Sequence, residues 1–260
     1  MRRLTSIAAV STLVVLASAA CSTTTPEAGA RSITVFAASS LTDAFTEIGT
    51  DFEAANPGTT VEFNFGSSSD LAGSIADGDA LGVADVFASA DEVNMDKLVE
   101  ADANTGDPLV FAGNRAEIAV PAGNPGGVAG LADFADPDLF IGLCDEHVPC
   151  GAYARETLHN AGVDPSVDSN EASVADLVAK VVSGDLDAGI VYVTDVQAAG
   201  GGVEGIAIPA DVNVLATYPI TTVDESGDPD TAERFVRYVL SPAGQQVLRA
   251  AGFLAPGARG

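Results

Sequence analysis

Residues 33–45 read ITVFAASSLTDAF, and residues 66–72 read GSSSDLA. The first segment opens on a short apolar run, 33–37, of the kind that forms a strand buried on both faces. It passes through two serines into residues 41–55, where Leu41, Ala44, Phe45, Ile48 and Phe52 recur at helical spacing. The second segment repeats the sequence of events. A strand over 61–65 (VEFNF) leads through a glycine and three serines into a helix over 70–76. A third strand is expected over 84–88 (ADVFA). The order β-α-β-α-β implies a parallel sheet covered by helices.

Outward from this core the character changes near residues 112–114. Strands are expected over 117–120 (EIAV), 140–143 (FIGL) and 188–193 (AGIVYV), with helices over 151–161 and 174–183. Apolar runs at 206–208 and 214–220 lead back, and a closing helix over 230–251 is expected to break near Pro242. The expectation is an α/β fold of two lobes, each a mostly parallel sheet flanked by helices. Lobe 1 takes residues 32–112 plus 217–260 and lobe 2 takes 113–216. The 260 residues are enough for two compact cores.

Charge excludes whole classes of partner. Eleven Lys and Arg stand against 37 Asp and Glu, a formal net charge of −26. The basic footprint needed for nucleic acid is absent, and electrostatic docking on anionic lipid is disfavoured. The acids are scattered, as on a solvated surface. If the ligand is an anion, attraction must come from dipoles and donors held at short range.

The first residues read as a targeting segment. Arg2 and Arg3 precede an apolar run over 7–20 that is too short for a membrane span. The run ends in Ser18, Ala19 and Ala20 directly before Cys21, and it resembles a bacterial lipoprotein signal, with an aliphatic residue usual where Ser18 stands. That resemblance implies cleavage after residue 20, lipidation of Cys21 and a place on the extracytoplasmic face of the cell membrane; an ordinary secretory signal with an incidental cysteine is the other reading. Residues 21–31, which include STTTPEAGA, read as a flexible tether. Cys144 and Cys150 flank CDEHVPC. In an oxidising compartment a disulfide is the first reading of this pair, with free thiols and a metal site as the others. His147 and His159 read as surface residues.

Open parallel sheets bind ligands at the carboxyl ends of strands, where helices begin. Two such junctions, around Ser39 and Ser40 and around Ser67, Ser68 and Ser69, combine helix N-termini with hydroxyl donors and contain no Lys or Arg. A serine at one junction is ordinarily only a cap; the pairing of two, with Cys150, Val174 and Tyr192 at further strand and helix ends, is what suggests an anion site. Gly66 offers close backbone approach. No G-x-S-x-G elbow and no phosphate loop is present, and neither histidine lies near a serine motif, so an enzyme is not expected.

The segments ITVFAASSLTDAF, GSSSDLA, DEHVPCGAYA (145–154) and GIVYVTD (189–195), in this order and spacing, resemble the molybdate-binding component of bacterial ABC importers. The resemblance covers essentially everything after the tether. It implies a type II periplasmic-binding-protein fold, no cofactor, a molybdate or tungstate oxyanion in the cleft, an ABC permease as partner and a monomer. By that resemblance the ligand is held by Ser40, Ser68, the backbone N–H groups of Cys150 and Val174, and the Tyr192 phenol. Cys150 stands where alanine is common, which suggests a disulfide to Cys144 that stiffens a binding loop. Asp70 stands where a small neutral residue is common; it is expected in the first helical turn, facing solvent. A site for another tetrahedral oxyanion, such as sulfate or phosphate, is the alternative.

Overall fold

A computed structural model describes residues 31–258. The expected signal segment, Cys21 and the tether as far as residue 30 lie outside them. Arg31, expected as the last tether residue, instead opens the first strand, because its N–H donates to Gly58 O at 2.9 Å. In chain order the elements are β1 (Arg31–Ala38), a 3₁₀ turn (Ser39–Leu41), α1 (Thr42–Ala55), β2 (Thr59–Gly66), α2 (Ser68–Ala76), β3 (Val86–Ala88), α3 (Glu92–Glu100) and β4 (Asn104–Pro121). Then come β5 (Ile141–Cys144), α4 (Pro149–Asn160), β6 (Val167–Glu171), α5 (Val174–Ser183), β7 (Ala188–Tyr192), α6 (Val193–Ala199), β8 (Val203–Ala207), β9 (Leu215–Val223), α7 (Pro229–Leu240) and α8 (Pro242–Ala250).

The strands run in the order β2-β1-β3-β9-β4-β7-β5-β6, with β8 pairing β4. β1 is parallel to β2 and β3, as the β-α-β-α-β pattern requires, and β5 is parallel to β6 and β7. β4 and β9 are antiparallel and knit the two parallel sets together. Ala112 lies opposite Tyr218 and Asn114 opposite Ala216, after which β4 continues to pair with β7 and β8. β4 is therefore the strand common to both sets.

The main core cluster runs through both sets, joining Ile33, Val35 and Phe45 with Cys144, Leu177 and Val191. Beneath α1 and α7 an aromatic cluster forms, in which Phe52 meets Phe235 at a centroid distance of 5.4 Å and 84°, and Phe45 meets Phe111 at 5.6 Å. Ile118, Phe134, Ile141, Leu143, Leu158 and Ile190 fill a second cluster around β5 and β7. Phe36, Leu71, Ile75, Phe87, Met95 and Leu98 form a third under α2 and α3. Full burial of each large side chain contributes about 1.5–3 kcal/mol.

The chain departs from the sequence reading where local apolar content is low. α3 buries only Asn94, Met95 and Leu98, and is started by Asp91, whose carboxylate accepts the Asn94 N–H at 2.9 Å. β6 (VDSNE) is a polar edge strand. β4 begins 13 residues before the expected 117 because it is specified by pairing with β9 rather than by its own apolar pattern. The break near Pro242 is present: Ser241 is extended and its Oγ accepts the Gly244 N–H, starting α8.

Candidate functional site

Four chain turns converge on one small cavity of about 20 Å³. It is lined by Ala38, Ser39 and Ser40 at the end of β1; Gly66, Ser67 and Ser68 at the end of β2; Val148, Pro149 and Cys150 after β5; and Ser173 and Val174 at the start of α5. Ala90 and Tyr192 complete the wall. All five residues singled out from sequence (Ser40, Ser68, Cys150, Val174 and Tyr192) are thus brought together, although 152 residues of chain separate the first from the last. Organic ligands occupy clefts of roughly 300–1,000 Å³. This cavity admits only a small ion.

The N-termini of α2, α4 and α5 all meet it. The first N–H groups of a helix have no partner within the helix, and they carry a partial positive charge. In α4, Pro149 has no N–H and Gly151 donates to Val148 O at 3.0 Å, so Cys150 supplies the first free N–H. In α5, the Ser173 hydroxyl accepts from Asp176 N and Leu177 N donates to Ser173 O, leaving the Val174 N–H uncapped. Three such termini around one cavity make an anion site without a cation.

The hydroxyls are arranged as donors. Ser68 is 1% exposed, and its Oγ accepts the Ala90 N–H at 3.0 Å, so its own proton is free for a ligand. The Ser40 Oγ is 2.9 Å from the Tyr218 Oη. Tyr192 closes β7; its N–H donates to Asp195 Oδ2 at 2.8 Å, while its buried phenol oxygen has no partner among the described residues. Burial pushes that phenol well above its ordinary range, with neighbouring Tyr218 adding in the same direction, so it stays protonated and able to donate.

No residue lining the cavity carries a charge of either sign. Donors without a carboxylate suit an oxyanion that has lost all its protons. A hydrogenphosphate would bring an O–H that needs an acceptor here. Asp70 does not line the cavity. It is exposed in the first turn of α2, where it complements the helix dipole. A larger cleft of about 400 Å³ shares Ser39 and Ser40 but carries Asp43 and Asp195, and the Asp43 carboxylate disfavours an anion there.

Cys144 and Cys150 form a disulfide across the loop that leads into α4. With both sulfurs bonded, the metal reading of CDEHVPC loses its strongest ligands, and no metal-ligating cluster occurs among the described residues. His147 instead pairs with Asp145 at 2.8 Å on the surface. The loop is tight: a Cβ on Gly151 would lie 1.9 Å from Asp145 O. Gly66 is less constrained than expected, since a Cβ there would meet only the Leu71 side chain at 3.5 Å. Sequence reasoning did not find Ala90, which holds Ser68, or Tyr218, which holds Ser40. The Ala90 N–H follows β3 and was signalled only by its place after a strand. Tyr218 carries no local signal at all.

Residues 33–254 match the family model described as bacterial extracellular solute-binding protein. The molybdate-binding protein ModA of Mycobacterium tuberculosis is 40% identical over 231 residues, covering 89% of this chain and 87% of that protein. The solved structure of the Azotobacter vinelandii periplasmic molybdate-binding protein superposes with a TM-score of 0.74 at 20% identity, covering 86% of this chain and 99% of that one. The sulfate-binding protein SubI of Mycobacterium tuberculosis superposes with a TM-score of 0.75 at 21% identity, covering 86% of each chain. At these identities the two structures speak for the two-lobed fold and do not separate one anion from the other.

Proposed function

The chain belongs to the bacterial extracellular solute-binding protein family, and we propose that it captures molybdate, or its close analogue tungstate, between its lobes and delivers it to an ABC permease. A protein of this class binds and releases its ligand unchanged. The observation that carries the proposal is the cavity of about 20 Å³, walled by three helix N-termini, the Ser40 and Ser68 hydroxyls among five serines, and a phenol without a partner among the described residues, with no charged side chain in its lining. In this reading Ser40, Ser68, the N–H groups of Cys150 and Val174, and Tyr192 hold the anion. The lobes, divided at residues 112/113 and 216/217, hinge about β4 and β9 to close on it. Export and a lipid anchor at Cys21 would place the site beside the permease, and a monomer suffices for both lobe motion and docking.

The identity with a molybdate-binding relative favours molybdate over sulfate, while the absence of a carboxylate from the cavity wall disfavours phosphate. Thermal unfolding of residues 32–260 with molybdate, tungstate, sulfate and phosphate at equal concentration tests this. At a hundredfold over Kd a ligand stabilises by about 2.7 kcal/mol, a shift of roughly 5–10 °C for this size. Shifts with molybdate and tungstate alone are expected; a shift with sulfate or phosphate alone would overturn the ligand assignment.

A further inference from the structure

The proton order at Ser40 is decided from outside the cavity. Tyr218, on β9, is fully buried, and its hydroxyl reaches Ser40 Oγ at 2.9 Å. Ser40 Oγ is the one acceptor within hydrogen-bond range of that hydroxyl among the described residues. Were Tyr218 to accept from Ser40 instead, its own buried proton would be left without an acceptor. The arrangement that satisfies both groups runs from Tyr218 to Ser40, and it leaves the Ser40 proton to point into the cavity.

We propose that Tyr218 is a positioning residue that locks the Ser40 hydroxyl as a donor and so biases the site toward fully deprotonated oxyanions. The inference rests on the anion-binding reading above and names a residue outside that ligand shell. Tyr218 lies opposite Ala112 on the paired crossing strands, and its ring meets Tyr192 edge-on at 6.1 Å. One buried side chain thus touches a donor from each wall of the cavity, and it does so from the strands that join the two walls. Successive aligned donors also polarise one another, which strengthens the last bond in the series.

A double-mutant cycle tests this, with molybdate titrated calorimetrically into the wild type, Tyr218→Phe, Ser40→Ala and the double variant. Phenylalanine keeps the ring and its packing. If Tyr218 acts through Ser40, Tyr218→Phe weakens binding about tenfold in the wild type and less than about twofold when Ser40 is already alanine. Tyr218→Leu, which also lacks the hydroxyl, is expected to show the same dependence on Ser40 and guards against a misfolded phenylalanine variant. Equal losses with and without Ser40 would overturn the inference while leaving the anion site intact. A wild-type protein indifferent to molybdate, tungstate, sulfate and phosphate alike would overturn both.

Discussion

Replacing Tyr192 by phenylalanine should cost affinity and spare the unliganded fold. The phenol oxygen is buried at the cavity with no partner among the described residues, and the residue as a whole is 2% exposed. Phenylalanine keeps the ring and removes no hydrogen bond of the phenol to the described residues. The unliganded Tm should therefore stay within about 2 °C, which is about 1 kcal/mol or less at about 2–4 °C per kcal/mol. With the anion bound, the same hydroxyl makes a charge-assisted hydrogen bond of about 1.5–3 kcal/mol, which phenylalanine cannot make. At about 1.4 kcal/mol per decade, Kd rises roughly ten- to a hundredfold. Differential scanning calorimetry without ligand and titration calorimetry with molybdate measure the two effects on the same preparation. An unchanged Kd, or an unliganded Tm that falls by several degrees, would refute the assignment of Tyr192 as a donor awaiting an anion.

Ser68→Ala removes both the donor to the ligand and the acceptor of the Ala90 N–H, so affinity should fall tenfold or more and unliganded stability by about 1–3 kcal/mol, read by titration and urea unfolding. The Cys144→Ser, Cys150→Ala pair opens a loop closed at a separation of six residues. It should cost about 2 kcal/mol of stability, seen as a lower Tm; because alanine keeps the backbone N–H, molybdate Kd should stay within about threefold. Burial pushes the Asp195 carboxyl up to about 7, against the Tyr192 N–H that favours its charged form and with the Asp43 carboxylate reinforcing the rise. Its folded form therefore holds a proton that the unfolded chain releases near pH 4, so this contribution is full at low pH and is lost as pH rises to about 7; Asp195→Asn should flatten that part of a denaturation–pH profile. The net charge of −26 repels a dianion at long range, so molybdate association, followed by stopped-flow, should speed up as salt shortens the screening length from about 30 Å at 0.01 M to about 10 Å at 0.1 M. A rate that falls with salt would mean that local attraction extends beyond the cavity.

The parallel first half of the fold was legible because Ile33, Val35, Phe45, Ile48 and Phe52 are all core residues, and apolar spacing reports burial directly. That the five expected ligand residues would converge on one cavity was legible for a different reason. Each lies at a strand end or helix start, where chain order alone constrains position, and resemblance of the surrounding motifs named the atoms. α3 and β6 were not, because α3 is held by an Asp91 cap over few apolar residues and β6 by its pairing with β5. The support for Ser40 was out of reach for a stronger reason. Ser40 and Tyr218 are 178 residues apart, and they meet only because β9 pairs with β3, which lies beside β1, in one particular register.

The central claim is that a molybdate ion sits among Ser40, Ser68, Cys150, Val174 and Tyr192. A crystal structure of residues 32–260 grown with molybdate, with anomalous data collected at the molybdenum edge, tests it most directly. The account predicts one strong anomalous peak in the small cavity, with oxygens in hydrogen-bond range of the Ser40 and Ser68 hydroxyls, the Cys150 and Val174 N–H groups and the Tyr192 phenol. A peak in the acidic cleft beside Asp43 and Asp195, or no peak between the lobes at all, would contradict it.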